Sequence, residues 1–440
     1  MTKLTLIDMK LLQFVILVLI ILLSALTSLW PPNGTMSYGQ AANTPAPKEI
    51  PGSLFDKSMG IPTLSDPSLK VEVVSANLDF PTTMAFLGPS DIIVLEKAKG
   101  TVLRITNGTI SPKSLLKIDV ASQVERGMLG VAVSKNQSSP TRIFLYFTEI
   151  INSPNPVDHS LVANRVYRYD LVNNSLVNPK LLLDLPGTPG PRHNGGAIEI
   201  GPDGNLYVPI GDLDGHTTQS QNVQGSRPPD GTGGILRISQ EGKPIQNIIG
   251  EEGSARKYFA YGIRNSFGLD FDPISGKLWD TENGAGSNDE INLVEPGFNS
   301  GWLKVQGKAP PEFDYSQLVN FGGKGNYRNP EFTWTDTVGP TKLKFLNSDK
   351  LGKEYENDLF VADVHHGRIY HFELNANRDG LVLPGPLADK VADTDDETKN
   401  IIFGSNFGGI SDIEVGPDGY LYVLSFARGT IYRIMPTSSQ

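Results

Sequence analysis

Three short stretches of this chain bring together residue types that can do chemistry. Residues 191–196 read PRHNGG and carry His193. An imidazole titrates near neutrality and is the commonest general base. Its neighbours Arg192, Asn194, Gly195 and Gly196 offer polar groups and room for a ligand to come close; the plain alternative is an exposed loop histidine. The second stretch, 261–271, centres on Arg264-Asn265. Arginine presents a rigid fork to anionic oxygens, and asparagine is both donor and acceptor. The third, 281–292, reads TENGAGSNDEIN and supplies Glu282, Asn283, Asp289, Glu290 and Asn292 with Gly284 and Gly286 between them. Hard cations such as Ca²⁺ take carboxylate, amide and main-chain oxygens from irregular glycine-containing loops. The spacing is not that of an EF-hand, and a solvated acidic turn accounts for the same residues.

The elements that must position these groups are hairpins. Residues 198–208, IEIGPDGNLYV, recur at 413–423 as IEVGPDGYLYV with two differences. Pro-Asp-Gly is turn chemistry: proline fixes φ, aspartate bonds its own backbone, and glycine accepts positive φ. The apolar runs on either side read as short strands. Looser copies span 84–95, 130–147, 269–279 and 343–361, which makes six hairpins. Most are followed by a third strand with a related ending: VLRI (102–105), VYRY (166–169), ILRI (235–238), IYHF (369–372) and IYRI (431–434), with INLV (291–294) filling that place in the fourth unit. Such repetition predicts an all-β fold, a six-bladed β-propeller over residues 70–440. A β-sandwich or two smaller β-domains is the competing architecture. The early strand at 70–74, KVEVV, lacks a hairpin of its own and is expected to pair with the C-terminal blade and close the ring.

Composition narrows the function classes. A formal net charge of −10 over 440 residues argues against nucleic acid as a partner. The absence of cysteine excludes thiolate metal sites, thiol catalysis and covalent haem attachment. Residues 11–30 are uncharged and strongly apolar, with Lys3 and Lys10 before them. Residues 1–41 therefore read as a signal peptide or a membrane anchor, with a buried core helix as the alternative. Either of the first two exports the rest, and 42–69 reads as a flexible linker. Four Asn-x-Ser/Thr tripeptides, at Asn33, Asn107, Asn136 and Asn173, permit glycosylation.

From about residue 71 onward the chain resembles the glucose/sorbosone dehydrogenase family, the soluble pyrroloquinoline quinone (PQQ) sugar dehydrogenases and their aldose dehydrogenase relatives. The matching pieces are ERGMLG at 125–130, His193 with the GPDG hairpin after it, GIRNSFGLDF at 262–271, and 282–302 with its DEIN core and Asn-x-Gly-Trp ending. The resemblance implies a six-bladed propeller with PQQ and Ca²⁺ at one end of the channel. It implies that His193 is the general base toward the anomeric hydroxyl of a sugar, and that Arg264 and Asn265 bond the quinone. By the same resemblance Glu125 stands beside cofactor and substrate, and the main-chain carbonyls of Gly284 and Ala285, with Asp289 nearby, hold Ca²⁺. Electrons would pass to an external acceptor. The chain departs from the family pattern where the cofactor's carboxylates would be neutralised. His365 stands near the place of a lysine, and Gly409 and Ser411 replace two arginines. Two other readings follow from that departure: a non-catalytic propeller that binds carbohydrate or protein at the cell surface, and a Ca²⁺-dependent hydrolase or lactonase. Substrate choice is assigned to the long segments 216–232 and 305–330.

Overall fold

The computed structural model describes residues 60–437, apart from 135–139, 152–160 and 246–247. The expected signal or anchor segment, residues 1–41, and the tripeptides at Asn33 and Asn136 lie outside the described residues. No helix among the described residues is long and apolar enough to cross a membrane.

The chain is an all-β propeller built of six sheets. Each predicted hairpin supplies two neighbouring strands of one sheet, and the strand with the shared ending supplies the next. In the first sheet these are Pro81–Gly88, Asp91–Glu96 and Thr101–Thr106; in the second, Met128–Val133, Thr141–Ile150 and Val162–Val172. The fourth, fifth and sixth sheets begin at Ser266–Phe271, Pro340–Phe345 and Ile410–Val415. The first-sheet strand Pro81–Gly88 packs against both Met128–Val133 and Ile410–Val415, so the ring is closed. Leu69–Ser75 pairs antiparallel with Thr430–Pro436, and the N-terminal strand thereby completes the C-terminal sheet. This removes a free edge that would invite another chain to pair.

The units are less alike than the repeat suggests. Five sheets have an inner strand of six to eight residues, but the third has only Glu199–Ile200. Positive φ at His193, Gly195 and Gly196 keeps the preceding segment out of the ladder. The expectation of six blades is corrected here: five sheets keep the full hairpin form, and the third is cut short at its inner strand. The linker is also shorter than its expected limit at 69: Thr63–Leu64 already pairs with Ile402–Ser405, because Leu64 packs into the apolar cluster between the fifth and sixth sheets.

The duplicated turns share one device. Asp203 accepts from the Asn205 amide at 3.0 Å and the Tyr207 hydroxyl at 3.1 Å, and it pairs with Arg237. Asp418 accepts from the Tyr420 amide at 3.3 Å and the Tyr422 hydroxyl at 2.8 Å, and it pairs with Arg433 at 3.1 Å. Gly204 and Gly419 sit at φ +75° and +83°, which only glycine adopts without strain. Toward the axis, buried charges from different sheets meet. Lys342 pairs with Glu199 and, at 3.5 Å, with Glu414; Lys344 lies 3.0 Å from Glu414 and 3.3 Å from Asp270. These pairs tie the third, fourth, fifth and sixth sheets together, and removing one partner would strand the other's charge in the interior.

Candidate active site

The loops that enter the inner strands gather at one end of the ring. His193 is buried, at 6% exposure, and adopts φ +59°. Asn194, wholly buried, holds its segment to the second sheet: its main-chain oxygen accepts from the Tyr146 hydroxyl at 2.6 Å, and its side-chain oxygen accepts from Asn164 at 3.0 Å. The two glycines that follow serve packing rather than ligand approach, which corrects the expectation from sequence. A Cβ on Gly195 would lie 2.3 Å from the Pro209 oxygen, and one on Gly196 would lie 2.8 Å from the Leu129 Cβ. Arg192 is engaged with Asp214 at 3.0 Å.

The imidazole belongs to a relay. Its Nδ1 stands 2.5 Å from Asp212 Oδ1, and Asp212 Oδ2 accepts from the Trp302 indole at 2.9 Å. Burial works against the charge on Asp212. Hydrogen bonds from His193 and Trp302, with the charge on Arg264, outweigh it and hold the carboxyl below the usual carboxylate range. A carboxylate only accepts, so it fixes the proton on Nδ1 and leaves the Nε2 lone pair available. Asp212 gets this close because Gly211 has no side chain: a Cβ there would meet the Arg264 oxygen at 2.2 Å.

Glu125 joins the same group from the entry to the second sheet. Its Oε2 accepts from the His193 amide at 2.5 Å and, at the longer distance of 3.4 Å, from the Asn265 side chain. Asn265 is 4% exposed, and its Oδ1 has no hydrogen-bond partner among the described residues. Arg264 stacks over the Trp302 ring at 5.5 Å, and its Nη1 donates to the Asn283 oxygen at 2.7 Å. Burial lowers its pKa, against the charges of Asp212, Glu125, Glu282 and Asp289 around it.

Behind Arg264 the fourth sheet turns an acidic face inward. The Arg264 amide donates to Glu282 Oε1 at 2.6 Å, and the Ser300 hydroxyl donates to Glu282 at 2.6 Å and lies 3.3 Å from Glu290. In the ladder Glu282 is opposite Glu290 and Asp280 is opposite Asn292, so all four side chains share one face. Burial pushes Asp280 and Glu290 up to about 7, and burial together with the charges on Glu290 and Asp280 raises Glu282 well above its ordinary value.

The turn holding Gly284 and Ala285 follows directly. A Cβ on Gly284 would fall 1.9 Å from the Ser287 oxygen, so its tightness demands glycine. Asp289 serves this turn through main-chain amides. It accepts from Gly284 at 2.8 Å, Val338 at 2.7 Å and Gly339 at 2.8 Å, and it is 1% exposed. These bonds fasten the fourth-sheet turn to the fifth-sheet entry. Among the described residues no three histidine or carboxylate side chains form a metal cage. His365 sits at the fifth-sheet entry against Gly339, with its Nδ1 3.2 Å from the Thr337 oxygen. At the sixth-sheet entry the Ser411 hydroxyl donates to the Pro81 oxygen at 2.8 Å, and Gly409 adopts φ +59°.

The structure thus brings Glu125, His193, Arg264 and Asn265 into one contact group, with Gly284, Ala285 and Asp289 in the adjoining turn and His365 beyond it. Sequence reasoning missed Asp212, Trp302 and Lys97, whose Nζ donates to the Ser122 oxygen at 3.1 Å below Glu125. Asp212 had a signal, an acid just after an apolar strand in IGDLDG, and Trp302 closes the Asn-x-Gly-Trp ending; Lys97 had none outside the fold. The two long segments pack on each other, with Gln224 donating to the Ser316 oxygen at 2.7 Å and the Val319 amide donating to the Asn222 side-chain oxygen at 3.1 Å.

Residues 78–433 match the glucose/sorbosone dehydrogenase family profile. The aldose sugar dehydrogenase YliI of Escherichia coli is 26% identical over 389 residues, covering 84% of this chain and 93% of that protein. The crystal structure of the soluble aldose sugar dehydrogenase from Escherichia coli superposes with a TM-score of 0.66 at 22% identity, over 84% of this chain and 99% of that one. The PQQ-bound aldose sugar dehydrogenase of Streptomyces coelicolor has the same fold, at a TM-score of 0.60 and 22% identity over 84% of this chain and 99% of that one. With a match across most of its length, the chain belongs to the glucose/sorbosone dehydrogenase family.

Proposed function

We propose that this protein is an exported sugar oxidoreductase that oxidises an aldose at its anomeric carbon, using bound PQQ and Ca²⁺ and an external electron acceptor. The observation that carries the reading is the relay from Trp302 through Asp212 to His193, placed beside Arg264 and Asn265. Export rests on the apolar run at 11–30.

The residues present fit a quinone of this kind. The buried, unpartnered Oδ1 of Asn265 is a polar group that a bound ligand would satisfy. Arg264 and Asn265 would hold its ring, and the Gly284 and Ala285 carbonyls would hold the cation. At the fifth- and sixth-sheet entries stand His365 and Arg428, the Nε of the latter 2.8 Å from where a Gly408 Cβ would lie. When bound, the quinone supplies the acceptor for the hydride that leaves the anomeric carbon. His193 Nε2 takes the proton of the anomeric hydroxyl as that hydride departs, and the product is the lactone. Asp212 keeps the imidazole in the right tautomer and stabilises the imidazolium that forms. Glu125 fixes the His193 backbone, and Trp302 fixes Asp212.

Gly409 and Ser411 favour a second reading, a propeller that binds carbohydrate without oxidising it. Losing charge-assisted contacts to a cofactor costs about 1.5–3 kcal/mol each. Adding Ca²⁺ and PQQ and then measuring aldose-dependent dye reduction separates the two. Turnover supports the oxidoreductase; failure to bind PQQ at micromolar concentration, with sugar still bound, establishes the second reading.

A further inference from the structure

We infer that Lys97 is a positioning residue for the His193 base, acting through Glu125; the inference rests on the oxidoreductase reading above. Lys97 follows the strand Asp91–Glu96 on the first sheet, and its main chain is fixed on both sides. Its amide donates to the Phe80 oxygen at 3.2 Å, and its oxygen accepts from the Met128 amide at 3.0 Å. The side chain runs beneath the turn that presents Glu125. Gly127 cannot carry a Cβ because one would lie 2.7 Å from the Lys97 Cγ and 2.8 Å from its oxygen. The ammonium donates to the Ser122 oxygen at 3.1 Å, which closes that turn from below.

One acid feels its charge: Glu125, whose Oε2 holds the amide of His193 in its left-handed conformation. The other charged groups nearby face elsewhere. Glu96 accepts from Thr101, Lys99 and the Asp79 amide, and Arg126 donates to the oxygens of Gly187 and Gly190. Arg264, from the fourth sheet, also feels the charge of Glu125, and Asp212 bonds the His193 ring rather than Glu125. Lys97 and Arg264 therefore bracket Glu125 between two cations, one from the first sheet and one from the fourth. Burial pushes the Lys97 ammonium down to about 8, against the attraction of Glu125. The bracket is complete below that pH and loses its first-sheet half above it.

The test compares three proteins by sugar kinetics from pH 6 to pH 9.5. Wild type should lose kcat/KM as the pH rises through about 8. Lys97→Arg, which keeps its charge throughout, should hold that activity to pH 9.5. Lys97→Met should run roughly 10- to 100-fold lower at pH 7 and lack the limb near 8. The His193 amide resonance, followed by TROSY in all three, reports the same coupling without sugar turnover: it should inflect near pH 8 in wild type and in neither variant. An alkaline limb unchanged in Lys97→Arg, or a His193 amide that does not respond near pH 8 in wild type, overturns the inference. Absence of turnover with the amide inflection present would count against the oxidoreductase reading and leave the coupling standing.

Discussion

The hairpin of the third sheet and that of the sixth are nearly the same sequence, and they fold the same turn. Asp203 with Tyr207 and Arg237 is repeated by Asp418 with Tyr422 and Arg433. At the opposite end of the strands the two diverge completely. The offset that carries Ile198 to Ile413 carries His193 to Gly408 and Asp212 to Ala427. Both partners of the base relay are present in one copy and both are missing from the other. Gly408 and Gly409 instead bring the sixth-sheet entry against Gly367, where a Cβ would lie 2.6 Å from the Gly408 amide. The turn end of each unit answers to folding, whereas the entry end is free to differ and presents the candidate site.

Three changes sharpen or break this contrast. Asp212→Asn makes the third-sheet entry more like its sixth-sheet counterpart while leaving the hairpin intact. It should lower sugar-dependent turnover by roughly 10²- to 10⁴-fold, because an amide no longer fixes the His193 tautomer. Steady-state dye reduction measures this, and turnover within twofold of wild type would remove Asp212 from the relay.

The second change concerns buried acids. On the sixth-sheet side Glu414 sits with Lys342 and Lys344, whereas Asp280 lies in the acidic face behind Arg264. Burial raises Asp280 from 3.8 to about 7. The folded state therefore holds that proton more tightly than the unfolded one. The resulting stabilisation is complete below about 4 and is lost as the pH rises to 7. Asp280→Asn mimics the protonated acid, so it should gain on wild type by roughly 2–4 kcal/mol between pH 4 and pH 8. Denaturant unfolding at both values checks the difference, and a gain that is the same at both would refute the assignment.

The smallest effect tests what the copies share. Arg237→Ala and Arg433→Ala each break a part-exposed ion pair to the turn aspartate, and Arg433→Ala also breaks a pair to Glu72 at 3.0 Å. Loss of each turn pair should cost less than about 1 kcal/mol, with Arg433→Ala exceeding Arg237→Ala by no more than the similar small worth of its Glu72 pair. Thermal unfolding of the pair is sufficient, and a large difference would show that the turns are not equivalent.

Much of the scaffold was readable before any coordinates. The six hairpins, their third strands and the closing strand at 69–75 all follow from turn chemistry and β-branched alternation. The shortened inner strand at Glu199–Ile200 was not readable, because it depends on left-handed residues packed against Leu129 and Pro209 of other strands. The site was legible in part. His193, Arg264 and Asn265 stood out by residue type, and the fold joins them through Glu125. Asp289 stood out as an acid among glycines, and what the sequence could not show is that its oxygens accept from three amides of two sheets. Lys97 and Trp302 lie far from His193 along the chain, and only the packing of neighbouring sheets brings one beneath the Glu125 turn and the other onto Asp212.

The most direct test compares wild type with His193→Ala, each incubated with Ca²⁺ and PQQ and then mixed with an aldose under single-turnover conditions. The quinone absorbance reports cofactor binding before mixing and reduction after it. Both proteins should bind the cofactor, and only wild type should reduce it at an appreciable rate, with the variant at least about 10²-fold slower. Equal reduction by both would contradict His193 as the base on which the proposed function rests.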